Sequence, residues 1–590
     1  MCGIAGKYNF NEAIHRENFN QMRDSLAHRG PDGASSYFSD NYPLALGHRR
    51  LSIIDLSESG TQPMHNKDKT IWLIVNGEIY NYKSLKSELE KFGHIFYSNT
   101  DSEVILHGYE QWGKGILNKL KGMFAFAVWD SKKEELFIAR DRFGIKPIYY
   151  YYNNKTFVFG SELKAIVSDK DFIKIPDISS FSDYLVYRYI PSPKTIWKHT
   201  YKIPPAHYIT FNWKEGLKTE EYWKLNIENK IIPTEEALEN INCLLSESLK
   251  DHVNSDVPIG AFLSGGYDSS TLVYYLNKAK YPLKTFSIGF KNWKKSEHKY
   301  AEIVANKFDT QHHSKVLNYE ILNNLDDLMY YYDEPIADIS IQPTYEVSKL
   351  ASESVKAAIS GEGADEIFAG YTWHHDLMKK NQLFHTEILK KNLKGYKFTG
   401  VEGYSNAMAM GMFNKNILQN TFDSSLKSHI PEHPFWFYSQ HYNRVVDPLK
   451  AFQYLDIKPF MAELVLTKVD RASMANSLEV RVPFLDHELV EYLFSLDKSV
   501  YYKNSRQKYL QYLLIKNVLP SKILNRKKQG FVGPDSFYMQ IDFYKAALSN
   551  CRLVNDGIIQ RNYIKSLFEN FDYWRLWKIT VFEKWYKKWL

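Results

Sequence analysis

Cysteine is scarce in this chain: Cys2, Cys243 and Cys551 are the only three in 590 residues. Three scattered thiols build neither a disulfide framework nor a thiolate metal cluster, so a reducing, cytoplasmic setting is expected. Long apolar runs are missing as well. No stretch approaches the ~20 residues of a membrane span, and the start lacks the basic, apolar, small-residue order of a signal peptide, so no membrane partner is expected. Nor is charge of one sign in excess: 75 Lys and Arg stand against 68 Asp and Glu, a formal +7 with no basic block. That balance does not call for a nucleic-acid partner. No internal repeat is visible. What the chain does have is aromatic side chains, 15% of the total, with a terminal run "FDYWRLWKITVFEKWYKKWL" that reads as a packed helix rather than a base-stacking surface.

Length alone predicts two or more domains, and the apolar pattern changes once along the chain. From residue 1 to about 205 the runs are short and bounded by turn signals: "TIWLIVNGEIYN", "MFAFAVWD", "ELFIARDRFGIKPIYYYY". They predict a strand-rich layered domain with a few helices such as "NYKSLKSELEKFG". From about 228 helices and strands alternate: helix "TEEALENINCLLSESLKDHV", strand "VPIGAFL", a Gly turn, helix "SSTLVYYLNKAK", strand "KTFSIGF", and later strand "KAAIS" before another Gly turn. That order predicts a doubly wound parallel sheet covered on both faces, followed by a helical C-terminal part. The polar stretch "NWKEGLKTEEYWKLNIENKIIP" is expected to link domains over 2–210 and 228–590.

Cys2 carries chemistry only if it has partners. With Met1 removed, one residue would supply a thiol nucleophile and an α-amine base of pKa about 7.7–8.0. A second-position cysteine by itself is more often incidental. Here "NGEIYN" adds the Asn76 amide and the Gly77 N–H as oxyanion donors, "HRRLSIID" adds Arg50 for a carboxylate, and "SNTDSE" adds Asp101 for an ammonium. Together with "MCGIAG", "AHRGPDG", "GTQPM", "GMFAFAVWD" and "ARDRFGIKPIYY", these segments resemble the class II glutamine amidotransferases, an Ntn-hydrolase family with an αββα sandwich. The resemblance implies Cys2 as nucleophile and Asn76 and Gly77 as the oxyanion hole. It also implies glutamine bound by Arg50, Glu78 and Asp101, with backbone of Leu51, Ser52, Ile53 and Ile54 lining the site.

"LSGGYDSS" follows a buried strand and opens a helix, so its backbone N–H groups are placed to cradle phosphate. Gly265 and Gly266 allow close approach, Ser264 and Ser269 add hydroxyls, and Asp268 can hold Mg²⁺. The lysine of the Walker A pattern is absent, which excludes a P-loop NTPase. The stretch resembles the PP-loop of ATP pyrophosphatases. Adding "YYDEPIAD", "AISGEGADEIFAGY", "LTKVDRASMANSLEVRVPFLD" and "RKKQGF", nearly the whole chain resembles the glutamine-hydrolysing asparagine synthetase family. That implies backbone of Leu263 and Ile288 at the adenine, Ser360 and Gly361 at the nucleotide, and Glu362 in adenylation and amination. It further implies Asp365 with Asp268 on Mg²⁺, Lys508 at the departing pyrophosphate, and a homodimer.

The expected reaction is ATP-dependent amidation of L-aspartate to L-asparagine with glutamine nitrogen, through an acyl-adenylate, releasing AMP and pyrophosphate. The alternative keeps this chemistry on another carboxylate, such as a uronic acid of a nucleotide sugar. Tyr267 stands where leucine is common in the family and is expected to face the core. Tyr512 stands where arginine is usual, and Thr372 and Trp373 follow "AGY" where arginine is frequent.

Overall fold

The computed structural model describes residues 2–10, 12–374, 376, 400–443, 446–503 and 506–590; Met1 lies outside them. In chain order the first strands are β1 (Gly3–Asn9), β2 (Gly33–Phe38), β3 (Leu44–Arg50), β4 (Met64–His65), β5 (Ile71–Ile79) and β6 (Gly122–Asp130). There follow β7 (Glu135–Arg140), β8 (Tyr149–Tyr152), β9 (Thr156–Gly160), β10 (Thr200–Lys202), β11 (His207–Asn212) and β12 (Gly216–Glu221). They form two six-stranded antiparallel sheets, ordered β10-β8-β9-β1-β3-β2 and β12-β11-β7-β6-β5-β4.

Alternation on the central strands explains why two sheets stack with helices outside. On β5 and β6, Leu73, Val75, Phe124, Phe126 and Val128 pack with Leu85 and Leu89 of one helix and Val104 of the next. The intervening Ile74, Ala125, Ala127 and Trp129 face Ile4, Leu46 and Phe159 of the other sheet. The helices α1 (Arg16–Asp24), α2 (Tyr82–Lys91), α3 (Glu103–Trp112) and α4 (Leu163–Val167) complete an αββα sandwich, α1 and α4 on the first sheet and α3 on the second.

After α5 (Ile178–Tyr187) and α6 (Thr234–His252) the pairing becomes parallel. β13 (Ile259–Phe262), α7 (Tyr267–Lys278), β14 (Lys284–Phe290), β15 (Gln311–Leu317), β16 (Ala357–Ile359) and β17 (Glu479–Arg481) contribute a sheet ordered β15-β14-β13-β16-β17. The chain moves outward from β13 to β14 and β15, then returns to β13's other side. The C-terminal ends of β13 and β16 therefore flank the reversal of strand order, where open parallel sheets bind ligands.

The polar stretch expected as a linker instead opens with β12, which pairs with β11 from His207↔Glu221 to Asn212↔Gly216. Polarity there reflects an edge strand with solvent on one side, and the first sheet system continues past residue 210 to Glu221. Farther on, the Glu228 and Lys230 N–H groups donate to the Phe494 and Ser495 carbonyls at 3.1 and 2.8 Å, so this segment is clamped to the C-terminal part. The aromatic tail forms a helix, Tyr573–Trp589, buried as expected. Its Trp577, Trp585 and Trp589 indoles donate to the carbonyls of Ala337, Asp333 and Met329, and the Tyr184 hydroxyl of α5 donates to the Lys578 carbonyl at 2.7 Å.

Candidate active sites

Cys2 lies where β1 begins, between the two sheets. Its backbone nitrogen donates to Asn76 Oδ1 at 3.2 Å, and its carbonyl accepts from Arg29 Nε at 3.1 Å. Asn76 and Gly77 sit on β5; a Cβ at Gly77 would fall 2.2 Å from the Met123 carbonyl oxygen, so only glycine fits there. The Asn76 amide nitrogen is buried with no hydrogen-bond partner among the described residues. A buried orphan donor costs about 1–3 kcal/mol, a cost recovered when an acceptor reaches it.

A pocket opens beside the thiol, with Arg50, Ile53, Glu78, Asp101 and Glu479 among its walls. Leu51, Ile54 and Gly77 also line it, whereas Ser52 gives its N–H to Asp32 Oδ2 at 2.8 Å and does not. The Arg50 guanidinium is held by the Ser57 carbonyl at 2.6 Å and by the Asp55 carbonyl. Asp101 accepts from the Ile79 N–H at 2.7 Å. Burial pushes the Cys2 thiol up, opposed first by the N-terminal charge and then by the Leu51 N–H and the Arg50 charge, and it raises Asp101 to about 6.

Glu479 comes from the parallel sheet, and sequence reasoning gave it no role. It reaches the Cys2 pocket because β17 is the edge strand facing the sandwich. Two residues along β17, Arg481 is fully buried and its Nε contacts Glu479 at 2.6 Å while Nη2 contacts Glu78 at 3.2 Å. Of the carboxylates sharing this guanidinium, Glu479 keeps its charge: burial opposes it, but the N-terminal charge first, then Arg481 and Lys146, draw it down to about 2. Glu78 is pushed well above the carboxylate range by burial, with Asp101 and Glu479 adding to the rise against Arg481.

The second constellation stands at the sheet's strand-order reversal. Ser264 N–H donates to Ser269 Oγ at 3.1 Å and Gly266 N–H to Ser264 Oγ at 3.2 Å, closing the turn after β13. Gly265 has φ +70°, and a Cβ would meet the Tyr300 backbone carbon at 2.5 Å. Asp268 opens α7, and Asp365 opens the short helix Ala364–Ile367 after β16, so each carboxylate faces a positive helix end. Lys508 brings them together, contacting Asp268 and lying 2.7 Å from Asp365; Lys528 also pairs with Asp365. Asp365 is held below the carboxylate range, burial opposing but the two ammoniums prevailing. Glu362 is raised by burial despite Lys468. Ser360 and Gly361 lie beside this cluster, the Ser360 N–H donating to the Arg481 carbonyl at 2.8 Å. The Leu263 N–H donates to the Phe286 carbonyl at 2.8 Å, and Ile288 lies buried in β14.

Lys528 and Arg526, from "NRKKQG", were missed by sequence reasoning; Arg526 donates to the Ser264 carbonyl at 3.2 Å and pairs with Glu297 at 2.6 Å. Their signal was a dense basic run, which resembles any solvated loop until folding brings it under the turn. Tyr267 is half-buried and packs against the core, as expected; its hydroxyl donates to the Leu524 carbonyl, and its ring stacks on Tyr512 at 6.5 Å. Arg506 lies 3.9 Å over Tyr512, so two departures from the family pattern form one surface. Between the constellations runs a buried ionic chain, Arg29 to Asp470 at 2.7 Å and to Glu162 at 2.7 Å, then Glu162 to Arg471 at 2.8 Å.

Residues 1–223 match the family described as glutamine amidotransferase domain, and residues 240–587 match that described as asparagine synthase. The curated asparagine synthetase [glutamine-hydrolyzing] 1 of Bacillus subtilis is 32% identical over 614 residues, covering 99% of this chain and 96% of its own. A putative asparagine synthetase [glutamine-hydrolyzing] 2 of Methanocaldococcus jannaschii is 35% identical over 525 residues, covering 82% and 100%. A Gibberella zeae protein named amidase chry2 is 28% identical over 575 residues, covering 87% and 84%.

Proposed function

The chain belongs to the glutamine-dependent asparagine synthetase family, and on that premise we propose that it amidates L-aspartate to L-asparagine, spending ATP to AMP and pyrophosphate. The observation that carries this reading is the convergence of Asp268 and Asp365, from the first turns of two helices, onto Lys508. A carboxylate has no good leaving group, so it must be activated before ammonia attacks; adenylation supplies AMP as that group.

In the first site Cys2, once Met1 is removed, attacks the glutamine side-chain amide carbon; its freed α-amine passes the thiol proton to the nitrogen, the C–N bond breaks to release ammonia, and water then cleaves the thioester to glutamate. The orphan Asn76 donor and the Gly77 N–H receive the developing oxyanion. Arg50 takes the substrate carboxylate; Glu78 and Asp101 take its ammonium, whose charge restores ionisation to two carboxyls that burial has raised. In the second site the turn Ser264–Ser269 cradles phosphate, backbone at Leu263 and Ile288 meets adenine, and Glu362 orients the acceptor. The paired carboxylates of Asp268 and Asp365 are hard oxygen donors that fit Mg²⁺, which when bound neutralises phosphate oxygens. Lys508 and Lys528, held by those carboxylates, turn to the departing pyrophosphate.

A second acceptor, a uronic acid of a nucleotide sugar, is favoured by one observation: the Tyr267–Tyr512 stack capped by Arg506 stands where the family commonly places leucine and arginine. Three unpaired cysteines support a cytoplasmic setting. The test supplies ATP and glutamine with each acceptor and follows AMP, pyrophosphate and amide product. Asparagine with stoichiometric AMP supports the first reading. Release of ADP and phosphate overturns the adenylation chemistry, and turnover with the uronic acid alone selects the second acceptor.

A further inference from the structure

On the outer face of the amidotransferase sandwich, away from the Cys2 pocket, three side chains converge that neither reaction uses. His107 and Glu110 lie one turn apart on α3, and His94 comes from the loop following α2. Among the described residues their donor atoms form a group lying within 4.8 Å of one another. His107 Nδ1 is 2.7 Å and His94 Nδ1 3.6 Å from the same oxygen, Glu110 Oε2. The side chains are 5%, 17% and 23% exposed for His107, His94 and Glu110, so the cluster is sheltered yet reachable.

What distinguishes this group from a chance cluster is the outer ring of partners. The other nitrogen of His107 faces the buried Glu103 at 3.3 Å, and the other nitrogen of His94 faces the Gln111 amide oxygen at 3.1 Å. Each acceptor takes an Nε2–H on the outer side; Nδ1 of His107 donates to Glu110 Oε2 at 2.7 Å, so the ion would replace that proton between imidazole and carboxylate. The second oxygen of Glu110 accepts from the Asn66 amide at 2.9 Å. Acceptors behind imidazoles and a donor behind a carboxylate are the arrangement that orients metal ligands. From these contacts we infer that His94, His107 and Glu110 bind a borderline divalent transition-metal ion, zinc foremost, with water in the fourth position.

Two imidazoles and one carboxylate are a donor set zinc takes, and bonds of about 2.0–2.1 Å place tetrahedral donors about 3.3 Å apart, within the spread found here. The ion would tie the loop carrying His94 to α3, the helix that begins directly after Asp101 and Ser102. Glu103 already holds that loop, accepting from the Tyr97 and Ser98 N–H groups at 2.8 Å each.

The test titrates the full chain, stripped by EDTA, with Zn²⁺ by calorimetry and counts retained zinc by mass spectrometry after gel filtration. One zinc per chain is expected. His94→Ala and Glu110→Gln should each weaken binding at least tenfold, and Glu103→Gln by about 10–100-fold, with circular dichroism unchanged. Cobalt in place of zinc should give visible bands that His94→Ala abolishes. Two results overturn the inference: no zinc retained, because His107 keeps a proton between its carboxylates, or an adventitious ion only, held equally by all three variants. Should one variant fail to fold, the others still decide.

Discussion

Replacing Arg481 by methionine tests how the two halves of the molecule share one charge cluster. The guanidinium contacts Glu479 and Glu78 and also donates to the carbonyls of His252 and Asn254 at 2.8 and 2.9 Å. Breaking a buried ion pair by removing one partner costs about 3–5 kcal/mol. Glu78 is already raised toward its neutral form, and Glu479 keeps the N-terminal charge and Lys146 as counter-charges, which argues for the lower part of the range, about 3 kcal/mol. The two carbonyls add about 1 kcal/mol, the Asn254 group being reachable by water. The local opening free energy of β16 and β17 should therefore fall by about 4 kcal/mol, which is roughly a thousandfold faster amide exchange.

Hydrogen–deuterium exchange of peptides covering 357–361 and 479–482 reads that change directly, and the glutamine KM should rise because Glu78 loses its support. The sign with pH is set by Glu479. Its folded value, about 2, lies below its ordinary 4.5. Arg481's share of that depression, smaller than the N-terminal charge's, is complete above 4.5 and lost as pH falls toward 2, so the wild-type–variant gap is full at neutral pH and narrows in acid. Adding Glu479→Gln to the variant should recover most of the loss. Exchange within tenfold of wild type, with an unchanged glutamine KM, would refute the assignment of Arg481 as the shared counter-charge.

Other perturbations separate the sites. Cys2→Ala should abolish glutaminase activity and glutamine-dependent product yet keep synthesis from added ammonium salt; intact mass of the active wild type should begin at Cys2, and equal loss with both nitrogen sources would contradict the division. Asp365→Asn should remove nucleotide-dependent AMP formation while glutamine hydrolysis persists, measured by chromatography of nucleotides and by glutamate release. Gly265→Ala forces a Cβ to 2.5 Å from the Tyr300 backbone and an alanine into φ +70°; the conformation alone costs about 1–2 kcal/mol. The ATP KM should rise at least tenfold with glutaminase retained. Because Asp101 titrates near 6, kcat/KM for glutamine should fall as pH drops through 6. The ammonia reaction, compared per free ammonia, should show no such limb.

Where sequence reasoning succeeded, the information was local. "LSGGYDSS" after an apolar run predicts strand, turn and helix because Gly265 alone tolerates φ +70° there, and β13, Gly265 and α7 follow in that order. The alternation of "MFAFAVWD" predicts a strand with two buried faces, and β6 has one face on the helices and one on the opposite sheet. Where it failed, the deciding neighbour was distant in sequence. A polar stretch after residue 212 looks the same as linker or as edge strand until β11 lies beside it. The stack of Tyr267 on Tyr512 was hidden for the same reason, the two rings lying far apart in the chain.

The sequence by itself determined the two-part organisation, the family, and the identities of the reactive groups, since a thiol at position 2 or a glycine in a tight turn is chemistry that needs no partner to be recognised. Only the tertiary structure decided which carboxylates share which cation. Glu479 enters the amidotransferase pocket, Lys528 joins Lys508 at Asp365, and Arg29 meets Asp470, because electrostatic pairing inside a protein depends on distance and burial, and neither is written in the order of residues along the chain.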